Sequence, residues 1–358
     1  MPKPSKPSAR ASSGPPVRQI EVVVANGLEE LARNELRRVS QGARLEPGPV
    51  AGALAMAWRG ELRPLLSLRL ATSVYLVRQF AVPRPKALLG DEHVRAVTEL
   101  ASTALRLHPA GSFRTLYVSA AGAETAVLTR LKQELATRLK LEVGSDDGDL
   151  LVRLRRSADG NAWDLLVRLS PRPLATRPWR VCNREGALNG PVAHAIALLT
   201  KPSPEDVYLN LGCGSGTLLV ERLLIGSARR MIGCDLNQEA LACAQTNLAA
   251  AGLDRRCELH AWDARALPLP DRCVGAITAD LPFGHLVGSH TENLQLYPAL
   301  LDAAARVARP GARCVLLSHE VRLLEGLLAE HVAWATEQVT RVDLGGLFPR
   351  IFVLRRRG

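Results

Sequence analysis

Leu209-Asn210-Leu211-Gly212-Cys213-Gly214-Ser215-Gly216-Thr217 is the stretch on which the fold turns. The apolar run 207–211 reads as a buried strand, and 217–224 reads as the helix that follows it. Glycines between the two let the main chain turn tightly and approach a ligand closely, while the helix N-terminus supplies unpaired N–H groups. Such a turn serves dinucleotide-dependent enzymes as readily as other nucleotide-like cofactors. Outward from it the pattern alternates. Strands are predicted over 230–234, 256–261, 274–279 and 313–318, with helices over 187–200, 238–251, 294–308 and 321–330. A last strand pair, 333–343 and 349–356, is joined by Gly345-Gly346. The expectation is an α/β, Rossmann-like domain over 187–358, its sheet mostly parallel and covered on both faces, closing with an antiparallel pair.

In open α/β sheets ligands sit at the C-terminal ends of the strands, and three acids fall there. Asp235 ends the second strand, 19 residues after Gly216, where it can accept both hydroxyls of a ribose from NAD or from S-adenosylmethionine. Asp263, in Trp262-Asp263-Ala264, follows the third strand and is placed to accept from an adenine amino group. Asp280 follows the fourth and opens Asp280-Leu281-Pro282-Phe283-Gly284. There the Asp280 carboxylate and the Leu281 carbonyl can each accept one N–H of an NH2 group, and Phe283 can stack on a flat base. Pro282 holds Leu281 extended and so aims its carbonyl. Each acid alone could be a solvated strand end; four successive loops carrying this series would rarely arise by chance.

The chain has 358 residues, 47% hydrophobic and 23% charged, with no apolar run long enough for a membrane span. Residues 1–185 hold 29 Lys and Arg against 18 Asp and Glu, whereas 186–358 hold 17 of each, so the entire net charge of +11 lies in the first half. A basic half beside a neutral one suggests that the first meets a polyanion and the second performs chemistry. Seven cysteines without a C-x-x-C pair read as free thiols in a reducing cytoplasm, with no metal site. Residues 1–16, rich in Pro, Ser and Lys, read as a disordered basic tail without a signal-peptide core. Two α+β units follow, 17–85 and 86–170, with the pattern 17–85 containing a helix over 62–70. The linker 171–186 then interleaves Arg172, Arg177, Arg180 and Arg184 with Trp179, a composition suited to phosphate contact and base stacking, or to a solvated connection.

The second half resembles class I S-adenosylmethionine-dependent methyltransferases. More narrowly, the chain resembles the THUMP-containing RNA guanine 2-amino methyltransferases, in particular the group acting on guanosine-6 of the tRNA acceptor stem. The family pattern L-D-P-x-C-G-S-G-T-x-x-x-E is met from Leu209 to Glu221, and D-L-P-F-G stands unaltered. Gly288-Ser289-His290, Glu292-Asn293-Leu294, Leu296-Tyr297-Pro298 and Gly345-Gly346-Leu347 continue the likeness. Two positions depart from it: Asn210 replaces the usual Asp, and His285 stands where relatives often carry a basic residue. The resemblance implies a ferredoxin-like unit over 17–85, THUMP over 86–170, S-adenosylmethionine as cofactor and tRNA as partner of a cytoplasmic monomer. It implies that Ala187, Leu188, Asn210, Gly212, Gly214, Ser215, Gly216, Thr217, Asp235, Asp263, Ala264 and Asp280 hold the cofactor. Asp280, Leu281, Pro282 and Phe283 are then the catalytic set. A different guanosine in tRNA or large-subunit rRNA, a nicotinamide-dependent oxidoreductase, and a non-catalytic RNA-binding protein are the alternatives.

Overall fold

The computed structural model describes residues 16–40, 42–144, 148–282 and 289–358. The basic tail, Phe283 and His285 lie outside the described residues. Two sheets organise the rest. The first contains β1 (Arg18–Val24), β2 (Leu45–Pro47), β3 (Ala53–Trp58), β4 (Ala71–Phe80), β5 (Thr115–Ser119), β6 (Glu142–Val143), β7 (Leu150–Arg156) and β8 (Trp163–Arg168). Its order is β2-β3-β1-β4-β8-β7-β5-β6. Helices α1 (Glu29–Val39), α2 (Asp91–Leu105) and α3 (Ala126–Leu139) bury Leu36, Val97 and Leu135 in the core they share with it.

The expected boundary near residue 85 does not divide this sheet. β4 pairs antiparallel with β8 from Tyr75↔Arg168 to Phe80↔Trp163, so the units expected over 17–85 and 86–170 form one continuous surface. Pro83-Arg84-Pro85 stops β4 but leaves its lateral edge free, and a composition break carries no information about that long-range pairing. The helix expected over 62–70 is a single 3-10 turn, Arg63–Ser67, because Leu68 is already extended. β7 and β8 do form the expected hairpin.

The second sheet contains β9 (Val207–Leu211), β10 (Arg230–Cys234), β11 (Glu258–His260), β12 (Val274–Asp280), β13 (Ala308–Ser318), β14 (Trp334–Arg341) and β15 (Arg350–Arg356), ordered β11-β10-β9-β12-β13-β15-β14. The first five run parallel, and β15 enters antiparallel between β13 and β14. Val-, Ile- and Leu-rich strands buried on both faces suit that arrangement. Helices α4 (Gly190–Leu199), α5 (Thr217–Ile225), α6 (Gln238–Ala250), α7 (His290–Val307) and α8 (Val321–Glu330) cover it. Chain order reverses between β9 and β12, which opens a crevice at their C-terminal ends.

The two sheets are joined through a buried carboxylate. Glu221, on α5, is fully enclosed and accepts from Arg69 Nε at 2.9 Å and Nη2 at 2.8 Å, from Arg177 Nε at 2.8 Å, and meets His194 Nδ1 at 3.0 Å. Arg69 belongs to the first half, Arg177 to the linker and His194 to α4. Arg177 further donates to the Leu174 and Arg69 carbonyls. Gly190 permits this approach, since a Cβ there would stand 2.6 Å from Arg177 Nε. Arg177 and Trp179 are therefore buried, and Arg180 donates inward to the Leu188 carbonyl and Thr217 Oγ1 at 2.6 and 2.9 Å. Of the residues expected to contact RNA, Arg177 and Trp179 are thus enclosed in the protein, and the half-buried Arg180 is directed at protein acceptors. Arg172 and Arg184 stay nearer the surface, 3.7 and 3.6 Å from Asp149 and Glu239.

The cysteine reading is corrected as well. Cys182 of the linker and Cys243 of α6 form a disulfide. Asn247 draws the segment there, its Oδ1 accepting from the Val181 and Cys182 amides and its Nδ2 donating to the Cys182 and Ser215 carbonyls. Spacing along the chain does not reveal a pairing set by the linker's path.

Burial alone would raise the Glu221 pKa, but the His194 and Arg69 hydrogen bonds and the Arg177 charge hold it at about 2. Glu221→Gln leaves the Arg177 guanidinium buried without its counter-charge and should cost about 3–5 kcal/mol in denaturant unfolding at neutral pH. Because the folded pKa lies below the ordinary value near 4.5, this contribution is complete above that value and disappears as pH falls through about 2. The stability gap between wild type and variant should close over that interval.

Candidate active site

A cavity of about 580 Å³ occupies the crevice above β9, β10 and β12. One wall is the glycine turn. Gly212 and Gly214 adopt φ of 59° and 53°, and a Cβ on either would project into open space, so bare main chain faces the cavity. The Cys213 amide donates to the Cys234 carbonyl and the Gly214 amide to Asp235 Oδ2, both at 2.9 Å, fixing the turn against the end of β10. Asp235 Oδ1 also accepts from the Asn237 amide, and the half-buried carboxylate keeps lone pairs directed at a ligand. Ala187 and Leu188, preceding the Asn189 cap of α4, close another side together with Arg184–Gly186. Ser215 and Thr217 complete the rim of the turn.

Asp263 and Ala264 line the cavity beyond Asp235, but Arg265 already chelates the Asp263 carboxylate, with Nη2 at 2.7 Å from Oδ2. That hydrogen bond holds the Asp263 pKa below the usual carboxylate range. Beside it Trp262 stacks on His260, ring centroids 3.9 Å apart, offering an indole to the cavity. Asn210 is different. It is fully buried beneath the turn, donates to the Thr278 carbonyl at 3.1 Å and does not line the cavity. Gly216, at φ 78°, caps α5 and packs on Ala244, also outside the lining. Asn210 and Gly216, expected to touch the cofactor, stand behind the turn and are not among the residues that line the cavity.

Asp280, Leu281 and Pro282 line this same cavity together with the glycine turn. Burial pushes the Asp280 carboxyl up to about 7, with no cation among the described residues to oppose the shift. The Pro282 carbonyl accepts from Asn293 Nδ2 at 3.0 Å and Tyr297 Oη at 2.7 Å, which pins the turn that carries Leu281. Asn293 and Tyr297 belong to α7, which begins at His290 and not at the expected 294. Ser289 caps it, accepting from the Glu292 amide at 3.2 Å and donating to the Glu292 carboxylate at 3.0 Å. Ser289-x-x-Glu292 was a readable start signal. The extra turn brings Glu292 and Asn293 to the cavity, where Gln295 and Leu296 follow; none of the four had been singled out as a site residue.

A family model for the RMKL-like methyltransferase domain matches residues 177–350. The chain is 30% identical over 94% of its length to the tRNA (guanine(6)-N2)-methyltransferase of Thermus thermophilus, 99% of which it covers. It belongs to that family. The crystal structure of TrmN from Thermus thermophilus superposes with a TM-score of 0.73 at 27% identity, covering 95% of this chain and 99% of the other. Mouse tRNA (guanine(6)-N(2))-methyltransferase THUMP3 is 31% identical over 183 residues, 47% of this chain and 36% of the mouse protein. Family membership sets aside the nicotinamide reading that the glycine turn alone left open. It also suits the cavity: a bare main-chain cradle, a strand-end acid beyond it and an aromatic wall fit S-adenosylmethionine.

Gly214→Ala tests that fit. A methyl group projecting into the cradle at positive φ should weaken S-adenosylmethionine binding at least ~10-fold by titration calorimetry, with the far-ultraviolet spectrum unchanged.

Proposed function

We propose that the chain transfers a methyl group from S-adenosylmethionine to the exocyclic 2-amino group of guanosine-6 in the tRNA acceptor stem. The observation that carries this reading is that Asp280 and the glycine turn line one cavity, at the ends of adjacent strands. When bound, S-adenosylmethionine supplies a methyl on a positively charged sulfur. The guanine amine is a poor nucleophile because its lone pair is delocalised into the ring. Accepting its two N–H groups at the Asp280 carboxylate and the Leu281 carbonyl localises that pair. The new N–C bond forms as the S–C bond breaks, and one amine proton leaves along the hydrogen bond to Asp280. A carboxyl of pKa near 7 is well matched to receive it. Holding amine and methyl in line supplies much of the acceleration.

The RNA is held by the basic first half. In place of the buried linker residues, Arg18, Arg59, Arg63 and Arg106 line a second cleft. The Trp58 indole donates to the Gly60 and Glu61 carbonyls and so shapes the loop that carries Arg59. Among the described residues none of these four arginines pairs with an acid, which leaves them available to phosphates. A guanine paired in a stem hides its amine, so it must leave the helix to be methylated, at a cost of a few kcal/mol. The reading places the enzyme as a monomer in the cytoplasm, where tRNA is found. No described helix is long and apolar enough to cross a membrane, and no three metal-ligating side chains cluster among the described residues.

Incubating tRNA transcript with enzyme and S-adenosylmethionine, followed by mass spectrometry of the digest, should locate N2-methylguanosine at position 6. Asp280→Ala should lower turnover at least ~100-fold while cofactor affinity stays within a few fold. Undiminished turnover in that variant would remove Asp280 from the chemistry. The wild-type rate should climb as pH rises through about 7 and level off above, because only the ionised carboxylate accepts the amine; a flat profile across that range contradicts the assignment.

A further inference from the structure

The acceptor pair at Asp280 and Leu281 grips an NH2 group, yet both adenine and guanine carry one. Something else must tell them apart. On the Watson–Crick edge, guanine presents N1–H beside its amine, whereas adenine presents a bare N1 lone pair. A third acceptor next to the first two would therefore choose guanine and repel adenine.

Asn293 supplies one. It is fully buried in the wall that also contains Asp280, Leu281 and Pro282. Its orientation is fixed by chemistry: a proline carbonyl only accepts, so the amide atom 3.0 Å from Pro282 O is the NH2 group. Oδ1 of the same amide is buried and has no hydrogen-bond partner among the described residues. A buried acceptor left without a donor is uncommon in folded proteins and calls for an explanation. Tyr297 already binds the same Pro282 carbonyl, so pinning the turn does not by itself require an amide at 293. The capping of α7 by Ser289 keeps Asn293 in the first helical turn, at the cavity.

We infer that Asn293 is the specificity-determining residue for the base, its Oδ1 accepting the guanine N1–H while Asp280 and Leu281 accept the amine. Three acceptors then meet the three contiguous donors of guanine. The inference rests on the proposed guanine 2-amino reaction and names how that base is chosen.

The test uses full-length tRNA assembled with either guanosine or 2-aminopurine riboside at position 6; the latter keeps the 2-amino group but lacks N1–H. The wild-type enzyme should favour guanosine by on the order of 100-fold in kcat/KM. Asn293→Leu removes a donor to the Pro282 carbonyl as well as Oδ1, so it should lower 2-aminopurine methylation about as far as Tyr297→Phe does, while guanosine falls further, to the level of 2-aminopurine. Tyr297→Phe, which loosens the Pro282 carbonyl but spares Asn293, should reduce both substrates together and preserve their ratio. Equal losses on both substrates in Asn293→Leu, or a wild-type ratio near one, overturn the inference; the latter decides even where the leucine variant does not fold. A wild-type enzyme that methylates neither RNA refutes the proposed reaction itself, a result distinct from a lost preference.

Discussion

A carboxylate with no access to water is tolerable only when cations and hydrogen bonds replace its hydration, and Glu221 recruits those partners from three separate parts of the chain. Arg69 comes from the first sheet's territory, Arg177 from the linker and His194 from the helix after it. The carboxylate itself stands one helical turn beyond Thr217, on the helix that the glycine turn launches. Satisfying one buried charge thus sets the first half, the linker and the cofactor cradle in a single mutual arrangement. The neighbouring Arg222, equally enclosed, is met by Asp206 at 3.2 Å and by main-chain carbonyls, so the same helix carries two desolvated ions of opposite sign.

From that anchor the chemistry follows by layers. Parallel strands place glycine turn, Asp235, Asp263 and Asp280 at one edge because each strand ends there and each helix returns behind the sheet. The sheet supplies positions; α7 and the linker supply restraint. Asn293 and Tyr297 hold the Pro282 carbonyl, while Arg180 holds Leu188 and Thr217, two members of the cavity wall. Arg180, which composition marked as an RNA contact, in this way supports the wall of the cavity.

The second sheet was legible in the sequence because its signals are local: apolar runs of strand length, glycine turns, and acids directly after the strands. Helix Val321–Glu330 and strand Arg230–Cys234 agree with expectation to the residue. What was hidden depended on distance. The β4–β8 ladder joins residues about ninety apart, and no alternation pattern states which edge will meet which. The Cys182–Cys243 bond and the burial of Arg177 likewise depend on where the linker runs. Two signals were nonetheless present. Glu221 and Arg222 interrupt an otherwise apolar helix, which marks them as buried ions needing partners, and Ser289-x-x-Glu292 announces a helix one turn earlier than apolar periodicity did.

The unbroken hydrogen-bonding between β4 and β8 also bears on how a substrate is measured. Two units tied along a strand cannot hinge against each other without tearing that seam, so they behave as one rigid plank. Glu221 fastens that plank to the second sheet through Arg69 and Arg177. The span from the far end of the first sheet to the cavity is then set by strand pairing and by the Glu221 anchor, not by the length of the connecting chain.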